Sequence, residues 1–235
     1  MTKFFKNLYR LLLIRTPFFI LLNYITNFLP NYKSKKRSSK IENQIYSDFK
    51  SFNFKEKWFC NNLNYLNNYF KHSNDVSDIL EIGSYEGRSA IFFLKMFENS
   101  KITCVDTWSG SDEHLKRNFS VIETNFDSNT KLYRNENRLK KIKNTSNDFF
   151  SNNFQSFDLI FVDGDHSSEQ VKKDINNSWK ILNNGGYLIL DDYLWWYYKD
   201  LENNPAFTIN NFISENLSKI SSLKVWQQVI IKKVN

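Results

Sequence analysis

Five side chains with obvious chemistry fall into two short runs. Asp163, Asp165 and His166 close "DLIFVDGDH", and Asp191 and Asp192 close "LILDD". Asp163 and Asp191 stand 28 positions apart, the length of one turn–helix–strand return. If their strands are neighbours, the two Cα atoms lie roughly 5 Å apart across a sheet. Carboxylates that close repel, so they share a proton, face a cation or hold a divalent metal. Oxygen donors suit Mg²⁺ or Ca²⁺ rather than zinc. The plainer alternative has Asp163 capping a turn, Asp165 N-capping the next helix and one of the acidic pair in solvent. His166 is the one histidine of three inside a motif. Its ordinary pKa suits a general base that takes the proton of a reacting hydroxyl. His72 and His114 have no supporting neighbours and read as surface residues.

A second group surrounds "DILEIGSYEGRSA". All six glycines fall between Gly83 and Gly186, and two of them, Gly83 and Gly87, share this turn. Glycine serves backbone positions that a Cβ forbids. A dinucleotide fingerprint, G-x-G-x-x-G, is a poor match, because Tyr85 stands where its second glycine belongs. Glu86 is also unwelcome beside a pyrophosphate. An adenosine ligand without phosphates removes both objections. Asp106, 23 positions after Gly83, then accepts hydrogen bonds from ribose hydroxyls.

These groups need elements to carry them. "DILEI", "KITCVD", "FDLIFVD" and "GGYLILDDY" read as strands, and "RLKKIKN" (138–144) as a weaker one. Helix-length segments, "GRSAIFFLKMFEN" and "SSEQVKKDINNSWKIL", lie between them. Further on come a helix in "NPAFTINNFISENL" and one or two strands in "LKVWQQVIIKKV". This alternation predicts an α/β, Rossmann-like doubly wound fold, with a mostly parallel sheet and helices on both faces. Right-handed crossovers bring the acid-tipped strand ends to one edge, where such folds bind ligand.

At "EIGSYEGRSA", "VDTWSGSDEH" and the block from Phe157 to Tyr193 the sequence resembles class I S-adenosylmethionine-dependent methyltransferases, closest to the branch called methyltransferase family 24. The likeness covers roughly residues 76–195. It departs at the loop Asn144-Thr145-Ser146-Asn147 and at Asn184-Gly185-Gly186, where Pro-Gly-Gly is usual. The resemblance implies that Glu81, Gly83, Ser84, Tyr85 and Gly87 cradle the methionine part of S-adenosylmethionine. It implies that Asp106 holds the ribose, Thr107 or Trp108 packs on adenine, and Ser146 lies near the base. For Trp108, ordinary helix–sheet packing is the competing reading. Related enzymes acting on sugar or catechol hydroxyls bind Mg²⁺ through acids that match Asp163, Asp191 and Asp192. The implied activity is O-methylation of a sugar, glycan or other small-molecule hydroxyl, with His166 and Asp163 at the reaction centre. The aromatic run after Asp192, "YLWWYYKD", would sit over that site or pack as a lid or subunit contact.

Composition narrows the partners. Residues 1–40 hold nine of the 32 Lys/Arg and no acid, leaving 23 basic against 25 acidic residues in the rest. A body this balanced lacks the basic face that nucleic acid needs. Two cysteines, Cys60 and Cys104, fall short of a disulfide framework and point to the cytoplasm. Residues 1–40 read as a basic amphipathic segment (Lys3 to Leu12 at helical spacing) and a linker over 31–40. They suit the anionic inner face of a membrane, or packing on the domain or on a second copy in a homo-oligomer. Residues 41–75 read as a helical cap and 76–235 as the methyltransferase domain. The rival functions are a nicotinamide oxidoreductase and a membrane-tethered, non-catalytic interaction module.

Overall fold

The computed structural model describes residues 16–46, 52–73, 75–110, 117–195 and 197–235. The Lys3–Leu12 segment, His114 and Trp196 lie outside them. The strongest strands are near-continuous apolar runs, as a sheet covered on both faces requires. They are β1 (Asp78–Ile82), β2 (Lys101–Asp106), β4 (Phe157–Val162) and β5 (Leu182–Leu190). The lysine-rich β3 (Leu139–Lys143) forms one edge, and β6 (Ile220–Val225) the other. The order is β3-β2-β1-β4-β5-β7-β6, with β7 (Val229–Lys233) antiparallel to both its neighbours. The seven-stranded, mostly parallel sheet is the expected Rossmann-like fold.

Register fixes the site. Ile82 pairs with Val105 on one side and Val162 on the other, and Val162 pairs with Leu190. The residues that follow, Gly83, Asp106, Asp163 and Asp191, therefore reach one sheet edge at the same level. Side chains alternate between faces. Ile79, Leu159 and Phe161 join one core with α3 (Arg88–Met96) and α4 (Phe119–Asn129). Leu80, Ile160 and Val162 join the other with α6 (Ser146–Asn152), α7 (Ser168–Ile181) and α8 (Pro205–Asn216). A short α5 (Lys131–Asn135) leads into β3.

The segment before the sheet differs from the sequence reading. Residues 31–40, expected as a linker, are helical within α1 (Thr16–Tyr46). Residues 41–75 form no separate cap. Leu63, Leu66 and Phe70 of α2 (Leu63–Phe70) are at most 1% exposed in the first core. Burying three such side chains contributes on the order of 6 kcal/mol, enough to make α2 a wall of the domain. Among the described residues of this segment, those of the 3₁₀ turn Trp58–Asn62 reach the edge where the strands end.

Candidate active site

A cleft of about 760 Å³ opens at this edge, and it is lined from both of its halves. On the β1–β2 side the glycine turn is locked by protein rather than shaped by empty space. Gly83 has φ +84°, and a Cβ there would sit 1.9 Å from the Asp163 carbonyl oxygen. Gly87, at φ +80°, N-caps α3 and packs against Thr130 and Phe126. Asp106 closes the turn from below. Its Oδ2 accepts the Ser84 and Tyr85 N–H groups at 2.8 and 2.9 Å, and its Oδ1 accepts the Trp108 N–H at 2.7 Å. A carboxylate offers about four acceptor positions, so Asp106 keeps one for a ligand hydroxyl.

Around that turn, Tyr85, Thr107 and Trp108 line the cleft. Trp108 also belongs to the core, with its ring 4.7 Å from Phe126 and its Nε1 donating to the Tyr85 carbonyl. Ser146 lines the opposite wall and accepts from Gln170 Nε2 at 3.0 Å. Glu81, Ser84 and Gly87 are not on the cleft surface among the described residues. Glu81 is fully buried, and burial pushes its carboxyl up to about 7. The nearby Ser84 and Ser89 hydroxyls offset part of the rise, although neither Glu81 oxygen has a partner within hydrogen-bonding geometry. Glu86 turns away from the cleft. It accepts the Lys55 N–H and Asn125 Nδ2, tying the turn to the preceding segment and to α4.

On the β4–β5 side the structure gathers Asp163, His166 and Asp192. His166 Nε2 lies 2.7 Å from Asp192 Oδ2 and 3.7 Å from Asp163 Oδ1. Asp192 reaches it because its backbone turns into the left-handed region, φ +53°, which Asp tolerates better than most residues. Burial raises the Asp163 carboxyl to about 7, with His166 opposing and Asp192 adding to the rise. Its side chain keeps 30% of its surface open to the cleft, which tempers that shift. Asp191 differs from the expectation that it completes an acidic triad. Its Oδ1 accepts the Asp192 N–H at 2.8 Å and its Oδ2 accepts Gln228 Nε2 at 3.0 Å. Burial, then Asp163 and Asp192, push its pKa well above the usual carboxylate range. Asp163, His166 and Asp192 each offer one atom, all within 4.8 Å of one another. Two carboxylates plus solvent fit Mg²⁺, which seldom takes a full protein cage. Asp165 is not the helix cap either. Ser167 caps α7, and Asp165 Oδ1 accepts the Ser167 N–H.

Other cleft residues had little signal in the sequence. Arg117 bonds Glu56 at 2.8 Å and the Tyr85 hydroxyl at 2.9 Å, and lies 4.6 Å over Trp58. Asp174, 1% exposed and raised by burial to about 6, accepts from Gln170 behind Ser146. Of the aromatic run, Tyr193 is core, bonded to Asn210, while Trp195 and Tyr197 line the cleft. Trp195 lies 5.4 Å from the His166 ring.

Residues 80–193 match the family described as "Methyltransferase domain", Methyltransf_24. That match covers just under half of the chain, from the middle of β1 to just past the end of β5. A curated relative, uncharacterized protein R132 of Acanthamoeba polyphaga mimivirus, is 29% identical over 119 residues. That match spans 48% of this chain and 50% of the relative, so the chain covers about half the length of that protein. Solved structures of similar fold include an O-methyltransferase from Bacillus cereus in complex with SAH (TM-score 0.53, 14% identity, 86% of this chain and 91% of that one). The O-methyltransferase TomG of Streptomyces achromogenes, in complex with SAM, gives TM-score 0.53 at 12% identity over 84% of this chain and 90% of its own. MycE of the mycinamycin pathway, in complex with Mg, SAH and mycinamycin VI, gives 0.54 at 15% identity over 84% and 54%.

Proposed function

We propose that this methyltransferase binds S-adenosylmethionine between the glycine turn and Asp106 and transfers its methyl group to a hydroxyl on a sugar or other small molecule. The observation that carries the reading is the shared edge. A turn closed on Asp106 and a His166–Asp192 pair face one cleft from neighbouring strand ends. The bound sulfonium supplies an electrophilic methyl, and the acceptor oxygen bonds to it as the carbon–sulfur bond breaks, leaving a neutral thioether. The chain's part is alignment, water exclusion and removal of the hydroxyl proton. Asp106 orients the ribose with its remaining acceptor position, and Trp108 walls the base. His166 takes the proton, and the Asp192 carboxylate, 2.7 Å from its Nε2, stabilises the imidazolium that forms. Mg²⁺ held by Asp163 and Asp192 would lower the pKa of the acceptor hydroxyl. Trp195 and Tyr197 offer flat faces for a sugar or aromatic acceptor.

The test is calorimetric titration of the full chain with S-adenosylhomocysteine and separately with NADH, each with and without Mg²⁺. Micromolar binding of the former and none of NADH is expected. Absence of S-adenosylhomocysteine binding to folded protein would overturn the proposal in favour of a non-catalytic module. Methyl release in an acceptor screen of sugars and phenols, with Mg²⁺ or with EDTA, then separates metal assistance from His166 acting alone.

A further inference from the structure

The described N-terminal half of α1 is inside out. Its inward stripe, Thr16, Phe19 and Asn23, is buried and largely polar. Thr16 accepts from Asn210 of α8 at 3.2 Å, and Phe19 enters the second core. Its outward stripe is wholly apolar. Phe18, Leu21 and Ile25, at spacing i, i+3 and i+7, are 54%, 56% and 64% exposed. A surface helix ordinarily shows the reverse. Charge is distributed along the axis as well. Residues 16–32 have no charged side chain, and Lys33, Lys35, Lys36, Arg37 and Lys40 follow at once. Of these, Arg37 and Lys40 are exposed, and position 40 falls fifteen residues after Ile25, on the same side of the helix.

We propose that this outward stripe docks on an anionic bilayer surface, with Phe18, Leu21 and Ile25 entering the interface and the basic cluster meeting lipid headgroups. The proposal stands apart from the methyl-transfer reading. No helix among the described residues is long and apolar enough to cross a membrane, so the helix lies on the surface. A protein partner would need its own acidic, apolar groove, whereas an anionic bilayer supplies both properties over any area. The helix is also held rigidly enough to present the stripe. Near its C-terminal end, Glu42 pairs with Arg88 at 3.2 Å and Tyr46 donates to the Arg88 carbonyl. Two further contacts reach toward the cleft: Ser38 bonds the cleft-lining Asn61, and Asn210, which bonds Thr16, also bonds Tyr193 next to Asp192. Docking therefore holds the cleft close to the headgroup layer, where amphiphilic acceptors collect.

Co-sedimentation of the full chain with phosphatidylcholine vesicles, and with phosphatidylcholine–phosphatidylglycerol vesicles, tests this directly. Wild type is expected to pellet with the mixed vesicles at least tenfold more tightly than with the neutral ones, and to be released by salt. Each basic residue near such a surface strengthens binding about fivefold, so Arg37→Glu with Lys40→Glu should weaken it at least tenfold. Leu21→Gln with Ile25→Gln should do the same, and an unchanged thermal midpoint verifies that this variant folds. Wild type that stays in solution with both vesicle types overturns the proposal without recourse to any variant. So does a Gln variant that pellets like wild type. A vesicle-free dimer that the Gln substitutions dissolve also overturns it, by making the stripe a contact between two copies of this chain.

Discussion

The two halves of the cleft are built on opposite plans. At the ends of β1 and β2 the one exposed-edge acid, Asp106, spends three acceptor positions on backbone N–H groups of its own neighbourhood. At the ends of β4 and β5, Asp163, His166 and Asp192 face one another, and burial lifts Asp163 toward neutrality. The first half is a seat whose shape is settled before any ligand arrives, which lowers the ordering cost of binding. The second half brings two carboxylates and an imidazole within reach of one another, as proton transfer needs. Rigidity and reactivity are thus separated by one strand spacing, and the halves touch where Gly83 presses on the Asp163 backbone.

Breaking that contact should have the largest effect. Gly83→Ala drives a Cβ into the Asp163 carbonyl at a left-handed φ, and a loss of more than about 4 kcal/mol is expected. Chemical denaturation measures it, and a loss below 1 kcal/mol would show that the halves are not in register. His166→Ala should lower kcat about 10²–10³-fold, or about 3–4 kcal/mol, on an identified acceptor. S-adenosylhomocysteine affinity should stay unchanged, and a parallel loss of affinity would contradict the division of labour.

Glu81 is the titratable exception beneath the seat. A free Glu carboxyl titrates near 4.5 and this buried one near 7, so the folded chain holds the proton more tightly between those values. Its stabilising contribution is full below about 4.5 and is lost as pH rises through 7. Glu81→Gln should remove a slope of up to about 3 kcal/mol between these limits, read as thermal midpoints across pH. Equal slopes in variant and wild type would assign the pH dependence to the other half. The smallest effect belongs to Asp106→Asn, whose amide still offers one oxygen but turns an N–H toward an N–H. About 1–2 kcal/mol of stability and roughly tenfold in S-adenosylhomocysteine affinity should be lost, with kcat at saturating cofactor retained. A fall in kcat alone would mean that Asp106 works on the chemistry and not on the seat.

Much of this was legible in the sequence because it is local. Apolar runs of strand length, alternating with helices, disclosed the sheet, and acids at the strand ends marked the edge where the cleft opens. The glycines were found but not their reason, because Gly83 is constrained by a carbonyl 80 positions away in the chain. Asp191 and Asp192 were indistinguishable as neighbours in sequence. What separates them is a left-handed backbone at Asp192 and the amide of Gln228, which arrives with β7. Arg117 sits in a polar stretch without periodicity and Trp58 in one that reads as helical, so only the folded chain brings them to Tyr85. Residues 31–40 misled because a run of Lys and Ser resembles a linker. In the structure Ser38 is 2% exposed, bonding Asn61 and Asn64.

The insertion of β7 between β5 and β6 has a bearing on how the protein comes to be made. On a ribosome, the strands carrying the glycine turn and Asp106 can pair as soon as they emerge. β5 must wait for residues 229–233, and Asp191 for Gln228, before either is fully partnered. The glycine turn can close once β4 brings the Asp163 carbonyl against Gly83, whereas the reactive half waits for β7. A nascent chain arrested before residue 228 would hold the glycine turn and Asp106 in place with an open sheet edge beside β5, a species for chaperones to shield.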